Sequence, residues 1–257
     1  MGMSKNWKPY FSQRVKNLFN SLTHWSDDAD PSSLHDLRVE IKKWMAMIRF
    51  LRKIYPEQHL KKERNAVKRI FQELGQLREY HILETWLLQQ KQDLIRNSCF
   101  PKEDVEALTR ELVGKTNNYI KRLKQSRETL DELVSKTHDE KIEIYLSGLF
   151  AGIKTMRRKD LPESEWHTLR KNIKQYIYAS NWLPAKGNPK TEKILNDFHA
   201  LEEAIGKWHD MENIREALLK RQLYFSKEVS LQLCFTQASD QLKRAIQYRK
   251  RKVVALL

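Results

Sequence analysis

The chain has 257 residues, and its 48 Lys and Arg against 33 Asp and Glu give a formal net charge of +15. Seven Gly and seven Pro are few against typical usage of about 7% and about 5%, which excludes a turn-rich chain and favours long helices. No apolar run approaches the roughly 18 residues of a membrane span, and the first residues lack the apolar core of a signal peptide, so we predict a cytoplasmic protein without a membrane partner. Cys99 and Cys234 lack disulfide or metal-site spacing and indicate a reducing compartment.

Helical periodicity dominates the first half, and no stretch shows the alternation of a strand, so the predicted fold class is all-α. The turn at 26–31 is followed by Ser32 and Ser33, either of which suits a helix N-cap. A break is expected near Gly75, and a loop at 97–101. The helices are predicted at about 8–25, from the turn to about 55, at about 58–90, and twice within 102–136.

The second half begins near 137–139, where the pattern of the first half restarts. We therefore expect one domain over 1–257, made of two repeats, 1–138 and 139–257. Ser164 is the expected N-cap of the second helix in this half, and Pro184 to Pro189 form the clearest break in the chain. The helices are predicted at about 140–158, around His167, at about 191–226 and at about 229–254.

A short phrase occurs twice and supports the duplication. Leu-His-Asp-Leu-Arg at 34–38 corresponds to Trp-His-Thr-Leu-Arg at 166–170, an offset of 132 (167 − 35). Leu-Gly-Gln-Leu-Arg-Glu at 74–79 corresponds to Ile-Gly-Lys-Trp-His-Asp at 205–210, an offset of 131 (206 − 75). Steps of three and four residues place side chains on one face of a helix, so each copy presents a cationic row. The rows are His35, Arg38 and Lys42 in the first copy and His167, Arg170 and Lys174 in the second.

Each cationic row lies beside the apolar stripe of its helix, at a phase of 100° per residue. Several like charges in partial burial are costly unless an anion compensates them. Asp36 and Glu40 can offset only part of the first row, and no acid lies between Glu165 and Glu192, so the second row is expected to be uncompensated. One such row is typical of cations that reach into solvent over a core. Two rows in matching phase favour an anionic ligand.

The two phrases, in this order, resemble the CHAD family, the histidine-containing α-helical domain, over nearly the whole chain. The resemblance implies two pseudo-symmetric four-helix bundles with a central basic channel. It also implies binding of inorganic polyphosphate, with the granule association that some members show. Carried over by position, the polyphosphate-binding residues are His35, Arg38, Lys42, Lys43, Arg49, Arg78, His167, Arg170 and Lys174.

The chain departs from the family pattern mainly in the second repeat. Met45 and Ile177 stand where many members have Arg, Gln175 replaces a second Lys, and His209 replaces a basic or polar residue. The resemblance therefore predicts a divided polyanion site that is stronger on its first half.

Three classes of function compete. The favoured one is non-catalytic polyphosphate binding, with no cofactor and no metal. A metal-dependent phosphohydrolase using His35 and His167 lacks the clustered carboxylates that a divalent metal prefers. A nucleic-acid binder would use the basic run at 243–252 and the seven Trp, but Trp44, Trp166 and Trp208 fall on core stripes, which disfavours stacking on bases. The oligomeric state stays open, a homo-oligomer included.

Overall fold

The structure is a computed structural model, and its description covers residues 7–99, 101–183 and 189–257. Over these ranges it consists of ten α-helices and one 3-10 turn, Pro56–Gln58, without a strand, which confirms the all-α prediction. The helices of the first half are α1 Trp7–Asp28, α2 Pro31–Ile54, α3 Lys61–Gln89, α4 Asp93–Cys99, α5 Lys102–Gly114 and α6 Thr116–Ser135. Those of the second half are α7 Asp139–Met156, α8 Glu163–Ser180, α9 Pro189–Tyr224 and α10 Val229–Leu256.

The start of α2 differs from the prediction. Asp30 is the N-cap, and its Oδ1 accepts hydrogen bonds from the backbone N–H groups of Ser32 and Ser33 at 2.6 and 3.0 Å. The expectation that one of these serines caps the helix is therefore wrong. A carboxylate satisfies the free N–H groups and also complements the positive end of the helix dipole, which a hydroxyl does not.

The start of α8 is also earlier than predicted. Helix α8 begins at Glu163, directly after Pro162, so Ser164 lies inside the first turn and is not the cap. Glu163 and Glu165 stand in this turn, where their charges stabilise the helix end without a side-chain cap.

Two predicted interruptions of the first half are wrong. Helix α3 passes through Gly75 without a break, and α4 extends to Cys99 where a loop was expected from 97. Ile95 of α4 is fully buried, so its packing holds a helical segment that local sequence does not favour. The break predicted at 184–189 falls on residues 184–188, outside the described residues, and Pro189 begins α9.

The helices pack in the same order in both repeats. Helix α1 packs on α2 and α2 on α3, and likewise α7 packs on α8 and α8 on α9. Two further contacts, α2 with α8 and α3 with α9, join the repeats directly. The helices that carry the two cationic rows are therefore neighbours.

Two hydrophobic clusters form the interior, and each takes side chains from both halves of the chain. Trp182, which follows α8, packs in the first cluster with Trp7 at 4.8 Å and Phe50 at 5.0 Å between ring centroids. Trp86 and Leu87 of α3 belong to the second cluster. A helix break does occur at 136–138, near the predicted boundary. The two hydrophobic clusters do not respect this boundary, because each contains large apolar side chains from both repeats.

Candidate anion-binding site

A buried amide fixes the crossing of α2 and α8. Gln175 of α8 is 2% exposed, and its Nε2 donates to the backbone carbonyl of Ala46 at 2.9 Å. Its Oε1 accepts a hydrogen bond from Arg49 Nη1 at 2.9 Å. Gln175 thus uses both ends of its amide to join the two helices, and this contact sets the position of one cationic row against the other.

Six basic residues from both repeats lie close enough to this crossing to act on one another electrostatically, and we call them the cationic cluster. The cationic cluster consists of His35, Arg38, Lys42 and Arg78 from the first repeat and Arg170 and Lys174 from the second.

The pKa values of the cluster show that its members share one electrostatic environment. Burial, reinforced by the positive charges of Lys174, Arg38 and Arg170, lowers the pKa of Lys42 to about 8. Burial and then the charges of Arg78 and Lys42 lower the pKa of His35 below its ordinary value. Charges of one repeat therefore act on groups of the other, and an anion placed among them would relieve the repulsion.

Arg38 lies against α3 in a seat made by Phe71 and Gly75. Its Nη1 donates to the carbonyl of Phe71 at 2.7 Å, and its guanidinium carbon is 4.0 Å from the centroid of the Phe71 ring. A Cβ at Gly75 would lie 3.3 Å from Nη1, so the glycine allows the guanidinium to approach the helix backbone. Burial and the charge of Arg78 lower the pKa of Arg38 to about 10.

Arg170 occupies the equivalent seat on α9. A Cβ at Gly206 would lie 2.7 Å from Nη2, closer than atoms tolerate. The Nε of Arg170 donates to Oε1 of Glu202 at 2.8 Å, and Lys174 Nζ lies 2.8 Å from the same oxygen. Glycine thus occurs in both copies of the second phrase, at 75 and 206, because each repeat places an arginine against the helix at this position.

Glu202 overturns the expectation that the second row is uncompensated. It follows the row by 28 residues (202 − 174), and the packing of α8 on α9 brings it into contact. At the offset of 131 its counterpart is Phe71 (202 − 71). The two repeats therefore hold the same arginine with opposite neighbours, an aromatic ring in the first and a carboxylate in the second.

Among the described residues, no carboxylate forms an ion pair with Arg38, Lys42 or Arg78, and the hydrogen bond of Arg38 goes to a backbone carbonyl. The acids that act on them do so at longer range: Glu79 acts on Arg38, Glu202 on Lys42 and Asp210 on Arg78. The first half of the cationic cluster is consequently the more strongly positive one.

Histidines flank the second half of the cationic cluster. The rings of His167 and His209 stack at 5.1 Å between centroids with an angle of 20°. Burial lowers the pKa of each, assisted at His167 by Lys171 and at His209 by Arg170. Both rings are therefore neutral donors or acceptors at neutral pH and gain charge at lower pH than a free histidine.

Two of the nine residues carried over from the family lie apart from the cationic cluster. Lys43 Nζ is 2.7 Å from Oε1 of Glu40, on the side of α2 that faces α1. Glu40 also pairs with Arg14 at 3.1 Å, so it does not offset the first row. Arg49 lies further along α2 and is engaged with Gln175.

Of the features that a nucleic-acid binder would use, the tryptophans are buried and two cations of the basic run form ion pairs. All seven Trp are at least 92% buried, so none presents a face for stacking on a base. In the basic run of α10, Lys243 pairs with Asp240 at 3.1 Å and Lys250 pairs with Glu163.

Among the described residues, no group of three or more His, Cys, Asp or Glu side chains is placed to hold a metal ion. No described helix is long and apolar enough to cross a membrane.

The sequence did not reveal the roles of Glu202, Phe71 and the two glycines. The signal was present, because the two phrases align Phe71 with Glu202 four residues before each glycine. The sequence does not show that α2 packs on α3 and α8 on α9, and this packing is what brings the arginines into contact with these positions.

Comparison with known proteins places this geometry in a family. The family model of the CHAD domain matches residues 10–219, a range that ends before α10 begins. Among solved structures, the crystal structure of the CHAD domain from the plant Ricinus communis is similar, with a TM-score of 0.69 and 15% sequence identity. The alignment covers 98% of this chain and 86% of that one, and it supports the fold. No curated protein is similar enough to count as a match.

Proposed function

The chain belongs to the CHAD domain family, and from this premise we propose that it binds inorganic polyphosphate, without cleaving it, at the cationic cluster. The observation that carries the proposal is the convergence of cations from both repeats. Lys42 feels the charges of Arg38, Arg170 and Lys174, and Arg38 feels that of Arg78. Among the described residues, Glu202 is the carboxylate that forms ion pairs with this group. Burial, and after it this crowding of like charges, lowers the pKa values of His35, Arg38 and Lys42. A bound polyanion would remove the repulsive part of this cost.

The chemistry of the cluster suits a phosphate chain. Arginine guanidinium groups bind phosphoryl oxygens in pairs of hydrogen bonds, and lysine adds a compact charge. Polyphosphate carries about one negative charge per unit and no bases, so charge and spacing are sufficient to recognise it. Binding should weaken steeply with salt, by analogy with the release of counterions from other polyanions.

Isothermal titration calorimetry on a double variant, Arg38→Ala with Arg170→Ala, tests the site. Arg38→Ala removes a charge-assisted contact, for which about 1.5–3 kcal/mol is typical, and Arg170→Ala adds a smaller loss, so the affinity for long-chain polyphosphate should fall by about 100-fold. The matched control is Arg244→Ala with Arg251→Ala, which removes the same charge from exposed positions of α10. Equal losses in both variants would mean that binding is diffuse and would contradict the proposed site.

Two further assays test the class of function. Incubation of the protein with long-chain polyphosphate and Mg²⁺ or Mn²⁺ should release no phosphate, and sustained release would overturn the non-catalytic part of the proposal. In a competition at matched charge, polyphosphate should displace single-stranded RNA, and the reverse order would favour a nucleic-acid ligand.

A further inference from the structure

Glu202 occupies the position that an anion would take in the second half of the cationic cluster. Its side chain is 14% exposed, and one oxygen receives both Arg170 Nε and Lys174 Nζ at 2.8 Å. Burial alone would raise the pKa of Glu202, but Lys174 and Arg170 outweigh it and hold the net pKa below its ordinary value. The carboxylate is therefore ionised at neutral pH and neutralises part of the second row.

The first half holds no such internal anion. The position equivalent to Glu202 is Phe71, whose ring and carbonyl contact Arg38. Within the part of the chain that the structure describes, no carboxylate pairs with the Arg38 guanidinium. A ligand can therefore contact Arg38 directly. To contact Arg170 or Lys174 in the same way, it must first displace Glu202.

We propose that Glu202 is a built-in competitor of the ligand, an affinity- and specificity-determining residue that a bound polyanion displaces from Arg170 and Lys174. This inference rests on the proposed function and specifies the order in which the two halves of the cationic cluster bind the ligand. The first-repeat cations engage the ligand, and the second-repeat cations join only when Glu202 yields.

A long chain is the ligand that can make this exchange. Replacing one carboxylate by one singly charged phosphoryl group changes little in net charge, so an isolated anion gains little by competing. When the same chain is already held by Arg38 and Lys42, its next phosphoryl groups compete at a high effective concentration. The internal carboxylate thus disfavours small anions by occupying their contacts, while a tethered chain overcomes it.

The charge-neutral variant Glu202→Gln tests the inference. Glutamine keeps an oxygen that accepts from Arg170 but carries no charge, so the fold should persist while competition is lost. The affinity for long-chain polyphosphate should rise about tenfold, as expected when a charge-assisted contact no longer has to be broken. The slope of log affinity against log salt should steepen by about 0.7–0.9, the equivalent of one additional released counterion.

Glu203→Gln is the matched control. Glu203 is adjacent on α9, 64% exposed and paired with Lys207, so its substitution changes net charge equally without touching the cationic cluster. It should leave the affinity within about twofold of wild type, because an exposed charge at this distance is screened. An equal gain in both variants would show a general charge effect and overturn the inference.

A double-mutant cycle locates the effect. In a background of Arg170→Ala with Lys174→Ala, adding Glu202→Gln should raise affinity by only a few-fold, because the two cations that form ion pairs with Glu202 are gone and only its longer-range action on Lys42 remains. A full tenfold gain in that background would contradict a direct competition.

The reciprocal change keeps the inference testable if Glu202→Gln fails to fold. Phe71→Glu should install the same competitor beside Arg38 and lower affinity about tenfold relative to Phe71→Ala, which removes the ring without adding charge. Equal affinities of these two variants would contradict the inference.

Failure of the inference and failure of the proposed function are distinguishable. If wild type binds long-chain polyphosphate and the Glu202→Gln and Phe71→Glu changes have no effect, only the competitor role is lost. If wild type does not bind polyphosphate, the proposed function itself is lost.

Discussion

The two repeats place an arginine in the same seat but surround it differently. Arg38 and Arg170 each lie against a glycine of the following long helix, Gly75 in the first repeat and Gly206 in the second. Beside Arg38 stands the ring of Phe71, whereas beside Arg170 stands the carboxylate of Glu202. The backbone arrangement and the cation are shared, and the side chain four residues before the glycine differs.

A duplicated cationic row therefore does not imply two equal binding surfaces. An aromatic ring supports a guanidinium without neutralising it, so the first half keeps its charge for a ligand. A carboxylate in a partly buried ion pair neutralises the guanidinium in the free protein and competes with an anion for it. The first repeat should therefore supply most of the binding energy.

The largest expected effect is an unequal loss from two matched substitutions. Arg38→Ala should lower polyphosphate affinity by about 30- to 100-fold, because it removes direct charge-assisted contacts. Arg170→Ala should lower it by less than about tenfold, because Glu202 already engages that arginine. Calorimetry of the two single variants at one salt concentration measures the ratio. Equal losses, or a larger loss for Arg170→Ala, would contradict the asymmetry.

Substituting alanine for Gly75 or for Gly206 should affect affinity differently, because the arginine lies closer to Gly206 than to Gly75. A Cβ at Gly206 would meet three guanidinium atoms of Arg170 at 2.7–3.2 Å, so Gly206→Ala should displace the guanidinium and lower affinity several-fold. At Gly75 the nearest atom is 3.3 Å away, and a shift of a few tenths of an ångström suffices. Gly75→Ala should therefore leave affinity within about twofold and raise thermal stability, since Ala favours a helix over Gly by about 1 kcal/mol. Large losses of affinity from both would show that the seats are equally tight.

The pH dependence above neutrality should report on Lys42. Because its pKa is about 8 in the free protein and a bound anion raises it, polyphosphate affinity should fall about tenfold between about pH 7 and about pH 9. Lys42→Met should flatten this decline. The free energy of unfolding of the free protein, compared with that of Lys42→Met, should increase as pH rises. The unfolded chain binds the Lys42 proton more tightly than the folded protein does, so the charged lysine destabilises the fold below about pH 8 and this cost fades at higher pH. An identical pH profile in wild type and Lys42→Met would contradict the assignment.

The smallest expected effect lies at acid pH. Burial and neighbouring cations lower the pKa values of His35 and His167, and a bound anion should raise them. Affinity should therefore increase a few-fold as pH falls through the bound-state values and level off below the free-state ones. Fluorescence titration of wild type and of His35→Gln measures this rise, which should shrink in the variant.

The two rows and the fold class were predictable from sequence because they are local. A spacing of three and four residues fixes His35, Arg38 and Lys42 on one face whatever the tertiary structure, and the repeat supplies the second row. Arg78 was predicted differently, from the family resemblance, because it follows the Leu-Gly pair of the first glycine phrase at 74–79.

Other features depend on packing and could not be predicted in this way. Glu202 compensates Arg170 only because α8 packs on α9, and a search for nearby acids along the chain does not reach it. Trp182 lies in the first core although it belongs to the second repeat. Lys43 matches the family pattern, yet Glu40 holds it on the side of α2 that faces α1.

A crystal structure of the protein soaked with polyphosphate would test the account most directly. We predict phosphoryl groups between α2 and α8, bonded to Arg38 and Lys42, with the Glu202 carboxylate moved away from Arg170 and Lys174. Phosphoryl groups bound instead along the basic run of α10, with the cationic cluster unchanged, would contradict it.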